Sequence, residues 1–307
     1  MLGEALPAAL MGVWGTSPTH LWVVGADSGT GPQLLFYDGE AWLAQSGPSR
    51  GDLWAIRGVG AAVYAVGSGG RVWRGTEVGD FVEDVVDPVV TLYGIWGADE
   101  SHIWAVGGDP DAAGSAARIF SFDGYTWSEA PLPVEASAAA ALFTVWGRSV
   151  DEVYAAGSDG VLVRWDGVSW ATVFSGGDPW YALAGDASNL YLAGGGVGAM
   201  LYRQTDGVWF DERPANALPI YGLDTLGGRS VAVGRGGARW TRGGTGWDPE
   251  TSSLPPSEAL FDVWIDSSGG VWMVGGSVLT RPLDQGVLIY DGPAAPPRLP
   301  TGDEPAY

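Results

Sequence analysis

Three features of this 307-residue chain predict an all-β fold. Glycine (50) and proline (20) are abundant beside 17 tryptophans, 11 tyrosines and 8 phenylalanines, a mixture of turn formers and strand formers. One phrase returns along the chain: GVWGTSPTHLWVVG (12–25), GIWGADESHIWAVG (94–107), TVWGRSVDEVYAAG (144–157) and, less closely, DVWIDSSGGVWMVG (262–275). Between copies stands an Asp-Gly step, usually with Trp behind it: YDGEAW ending at Trp42, FDGYTW at Trp127, WDGVSW at Trp170 and TDGVW at Trp209.

The part of the phrase that recurs most often is a residue, usually aromatic, followed by small apolar residues and Gly. It begins at Trp22, Tyr64, Trp104, Tyr154, Tyr191, Val231 and Trp272, with spacings of 37 to 50 residues. Seven units of about forty residues, each with several short strands, predict a single seven-bladed β-propeller of four-stranded antiparallel blades over 1–307. The blades run approximately 11–50, 51–90, 91–140, 141–179, 180–219, 220–258 and 259–300.

Each element has a reason. In the fourth unit the strands are 142–147, 153–157, 161–165 and 169–174, and Asp166-Gly167 reads as a two-residue hairpin turn. Inner strands such as LWVVG are apolar on consecutive residues, as expected when both faces of a sheet are covered, here by neighbouring blades. The recurring aromatics are therefore expected between blades. The fifth unit, WYALAG, has Ala184 where other units have Trp, and Trp180 where they have Leu or Ile. Residues four apart on a strand share a face, so this exchange reads as volume compensation. The last unit ends in PAAPPRLP after its third strand, which suggests that residues 1–10 help complete the seventh blade.

The VWG…VWAVG and YDGxxW phrases resemble the repeats of secreted or cell-surface β-propellers of myxobacterial and related bacterial proteins. They are more distantly similar to Asp-box (BNR) propellers, which include sialidases and the photosystem II assembly factors. The resemblance spans 11–292. It departs from the Asp-box at Asp38-Gly39, Asp123-Gly124 and Asp166-Gly167, which are adjacent where that pattern separates the two residues. The resemblance implies a propeller outside the cytoplasm, and the assembly factors imply binding of protein partners.

Composition removes several functions. Cysteine is absent, which excludes disulfides, thiolate metal sites and a Cys nucleophile. All 15 basic residues are Arg, so no Lys is present for Schiff-base chemistry. The net charge of −21 repels phosphate backbones, and nucleic acid is not an expected partner. No apolar run suits a membrane span, and the first ten residues lack the features of a secretory signal, so export would need a signal outside this sequence. His20 and His102 fall at the same place in their units, at a turn edge, which argues against a His-based triad or metal site.

Two sets of residues remain as candidates. Arg57, Asp224 and Asp262 replace Trp or Gly on the innermost strands, where a charge is costly unless paired or hydrated. The loops between second and third strands are long in units 1 (25–33), 3 (107–117) and 7 (275–286) and carry Asp27, Asp109, Asp111, Arg281 and Asp284. Asp109-x-Asp111 is a calcium-donor pattern without a complete calcium loop; no other cofactor is expected. The leading expectation is a non-catalytic binding or scaffold propeller whose long-loop face meets a protein or glycan. A lectin with repeated aromatic clefts, or a glycosidase or lyase with a channel acid pair, are the alternatives.

Overall fold

The computed structural model describes residues 1–76, 81–112, 114–244, 246–250, 254–255, 257–277, 283–294 and 296–299. It is a seven-bladed β-propeller of seven four-stranded antiparallel sheets. The innermost strands are Leu10–Ser17, Leu53–Val59, Thr91–Asp99, Leu142–Ser149, Trp180–Gly185, Ile220–Leu226 and Ala259–Ile265, numbered here as blades 1 to 7. Each packs on the innermost strands of both neighbours, so the seven close a ring around a central channel.

In six blades the strands follow one another outward. Blade 7 is closed differently. Its outer strand is the N-terminal segment Gly3–Leu6, paired antiparallel with Asp284–Asp291 so that Gly3 faces Leu288 and Leu6 faces Gly286. The Leu2 amide donates to Leu288, and Leu299 donates to Leu2, laying the C-terminal segment along the outside. Ring closure thus joins the two ends of the chain through backbone hydrogen bonds.

The second-strand aromatics lie between blades. Trp22 and Trp272 are each 1% exposed, and Tyr64, Trp104, Tyr154 and Tyr191 are also buried. Arginines clamp the outer strands across blade boundaries: Arg242 joins Glu212, which also holds Arg203, and Arg239 reaches Asp291.

Two local expectations change. Asp38-Gly39, Asp123-Gly124 and Asp166-Gly167 open four-residue loops, because Tyr37 pairs with Trp42, Phe122 with Trp127 and Trp165 with Trp170. Each Asp accepts two backbone N–H groups, from Glu40 and Ala41, Tyr125 and Thr126, and Val168 and Ser169, at 2.8–2.9 Å. The Asp is conserved in role as a side-chain cap of the loop. Asp206-Gly207 alone among these steps forms the two-residue turn, with Thr205 opposite Val208 and both turn residues at positive φ.

The second change concerns Trp180 and Ala184. A register shift between Trp180 and Ala182 inserts one residue into the strand. Trp180 therefore packs between blades 4 and 5, with its indole N–H on the Gly160 carbonyl at 3.1 Å, while Ala184 packs between blades 5 and 6. The two lie on opposite faces, so the Trp does not fill the volume that the Ala leaves.

Candidate functional site

The same register shift recurs at the start of all seven innermost strands and sets what each residue faces. Counted from the residue just before the shift (Leu10, Leu53, Leu92, Leu142, Trp180, Ile220 and Leu260), the first and fourth residues, such as Leu10 and Val13, face the preceding blade, and the fifth, such as Trp14, faces the next. The second residue is left at the long-loop mouth of the channel. It is Met11, Trp54, Tyr93, Phe143, Tyr181, Tyr221 and Phe261 in blades 1 to 7.

These seven side chains form a collar. Ring centroids are 5.1 Å apart from Trp54 to Tyr93, 5.3 Å to Phe143, 5.5 Å to Tyr181, 5.2 Å to Tyr221 and 6.0 Å to Phe261. Met11 packs against Phe261 and Trp54 and closes the circle. Pro110 and Asp111 from the long loop of blade 3 and Leu283 from that of blade 7 join the collar around a cavity of about 450 Å³. Burial raises the phenol pKa of Tyr181 and Tyr221, which keeps both as neutral hydrogen-bonding groups.

The sequence pattern explains the second-strand aromatics as packing but does not reveal the collar. Its signal is the second letter of LM, LW, LY, LF, WY, IY and LF at the start of each innermost strand.

Below the collar lie two of the three channel candidates. Arg57 approaches Asp262 at 3.5 Å and donates to the carbonyls of Val13 and Ile56. Asp262 accepts from the backbone N–H of Val13 and of Val263, both at 3.0 Å. The Val13 peptide groups of blade 1 are thus held from blade 7 on one side and blade 2 on the other. Burial raises the Asp262 pKa, against the pull of Arg57 and the two amides.

Asp224 is placed apart, at the opposite mouth. It accepts from the Ile265 N–H of blade 7 at 2.7 Å. Burial pushes its pKa up to about 6, opposed by the Ile265 amide and Arg57. Its cavity, about 240 Å³, is lined by Trp14, Trp96, Trp146, Trp264 and Arg57, and Asp262 lies on the collar side of that same Arg57.

The loop candidates have separate roles. Asp27 accepts from Gly29, Gly31 and Gly51 and ties its loop to blade 2; burial opposes its charge, and the three amides with Arg50 leave its pKa lowered. Asp109 accepts from the Asp111 amide at 3.1 Å, and Asp111 is exposed at the collar rim. Asp284 begins the third strand of blade 7, paired with Ser277. Arg281 lies outside the described residues. Among the described residues no three His, Asp or Glu side chains group as a metal site requires. His20 and His102 are both exposed, His20 against Phe36 and His102 on Asp99.

No family model matches the chain, and no curated protein matches it. Solved propellers match it in shape. Virginiamycin B lyase from Staphylococcus aureus superposes with a TM-score of 0.71 at 13% identity, over 94% of this chain and 98% of that one. The WD40 β-propeller domain of Doa1 gives 0.68 at 13%, over 95% and 97%, and YCF48 from Cyanidioschyzon merolae gives 0.65 at 14%, over 90% and 96%. At such identities the likeness is one of fold.

Proposed function

We propose that this chain is a non-catalytic binding propeller whose long-loop mouth takes a segment of a protein partner. The observation that carries this reading is the collar: six aromatic rings and Met11 converge on one cavity, rimmed by residues of two long loops. A rigid ring of aromatics that also carries the Tyr181 and Tyr221 hydroxyls and the Trp54 indole N–H suits an inserted apolar side chain whose flanking backbone can be hydrogen-bonded. The net charge of −21 and Asp111 at the rim favour basic residues beside that side chain. A sugar needs several directed hydrogen bonds, and seven separate lectin clefts would need exposed aromatics at a repeated position; the repeated aromatics converge on one cavity instead. A setting outside the cytoplasm belongs to the same proposal and is supported only by the resemblance of the repeat phrases.

The test is selection from a random peptide library on the wild-type chain and on a Tyr181→Ala/Tyr221→Ala variant whose melting temperature has been checked. The expected outcome is enrichment, on the wild type alone, of peptides with a large apolar residue next to Arg or Lys. Equal enrichment on both proteins, or binding to a glycan array without any peptide enrichment, overturns the proposal.

A further inference from the structure

The fifth residue of each innermost strand follows a rule between blades. Where it is Trp, the next blade offers a Gly for the indole to sit on: Trp264 on Gly15, Trp14 on Gly58, Trp96 on Gly147 and Trp146 on Gly185. A Cβ on Gly58 would stand 1.9 Å from the Trp14 ring. In blades 5 and 6 the Trp is absent, replaced by Ala184 and Asp224, and the following blades have Thr225 and Ile265 in place of the Gly. Two neighbouring indoles are thus missing from one side of the mouth, and a carboxylate stands in the space.

The charges at this level do not balance. Arg57 faces Asp262 at 3.5 Å, which leaves Asp224 with no ion-pair partner among the described residues. A carboxylate held partly out of water is costly without a cation. Burial and the charge of Asp262, on the collar side, oppose the Asp224 carboxylate, whereas the Ile265 and Thr225 amides and Arg57, which lines the same cavity, favour it. Indoles are the best aromatic neighbours for an alkylated ammonium ion. One of the four already carries a cation over its ring, the Arg148 guanidinium, 5.9 Å from the Trp146 centroid.

We infer that this short-loop mouth is a second, separate site, for a small organic ammonium ion that pairs with Asp224 among the channel tryptophans. The site is independent of the collar and uses none of its side chains. Binding requires the ionised carboxylate, so it strengthens as pH rises through the Asp224 pKa of about 6.

The experiment is calorimetric titration with tetramethylammonium chloride at constant ionic strength, with tert-butanol as the neutral molecule of the same shape. The expected result is saturable binding at pH 8, about tenfold weaker at pH 5 because only about a tenth of the carboxylate is then ionised. Asp224→Asn removes the ionised form at every pH and weakens binding at pH 8 at least about tenfold. The double variant Ala184→Trp/Thr225→Gly, which refills the gap by the Trp-on-Gly rule, also loses it. Absence of saturation at pH 8, equal affinity for tert-butanol, or unchanged affinity in a folded Asp224→Asn protein overturns the inference.

Discussion

The two mouths of the channel are built from the same strands and differ in how strictly the repeat is kept. At the long-loop mouth every blade contributes a large apolar side chain, and the result is a continuous collar. At the opposite mouth four blades contribute Trp and three break the pattern with Arg57, Ala184 and Asp224. Where the repeat is kept, seven weakly specific side chains combine into one surface. Where it is broken, the exceptions gather charge and open space on one side. The lesson is that a site can arise from a repeat in both ways, and that the broken positions are informative only beside the intact ones.

Both mouths require a closed ring, so the change expected to erase the comparison is removal of residues 1–7. It strips the outer strand from blade 7 and uncovers Leu288, costing more than about 4 kcal/mol and many degrees of melting temperature. Thermal unfolding followed by circular dichroism reads this directly, and a melt within two or three degrees of the full chain, about 1 kcal/mol for a chain of this size, would show that the strand does not close the ring.

The next change forces the broken mouth back towards the intact pattern. Ala184→Trp drives an indole against Thr225 and is expected to cost about 3 kcal/mol by overpacking. Thr225→Gly in the same chain supplies the missing seat and recovers at least half of that loss. Denaturant unfolding of the two single variants and the double variant measures the coupling. Simple additivity would refute the Trp-on-Gly rule.

The smallest effect concerns the unpaired charge alone. The folded pKa of Asp224, about 6, lies above the ordinary 3.8, so folding favours the protonated form. This group's contribution is fully present below about pH 4 and is lost as pH rises through 6. Asp224→Asn keeps an acceptor for Ile265 and removes the ionisation. It should therefore stabilise the protein by up to about 2 kcal/mol at pH 8 and leave it unchanged at pH 4. Equal melting shifts at both pH values would count against a raised carboxylate.

Much of the fold was legible because the repeat reports its own period. The count of seven follows from the landmarks at Trp22 to Trp272, and the inter-blade burial of those aromatics follows from strands apolar on both faces. Arg57, Asp224 and Asp262 stood out as departures from aligned units. What was not legible was orientation. Parity along a strand puts Trp180 and Ala184 on one face, but the bulge after the first residue reverses it. The same bulge turns the second residue to the channel, which is why the collar was hidden among packing aromatics. Likewise the Asp-Gly steps announce a turn but not its length, since the Asp carboxylate caps a four-residue loop as readily as the pair forms a two-residue one.

The sequence by itself determined the architecture: repeated apolar strands with no polar face can be satisfied only by sheets stacked against one another, and seven such units close a ring. The tertiary structure decided which residues meet at the centre. Asp262 reaches Val13 and Arg57 across the seam where the chain's two ends join, and the Trp of one blade rests on the Gly of the next. These contacts join residues as many as 249 positions apart, and their partners are set by blade order, bulge and channel geometry, none of which a local pattern encodes.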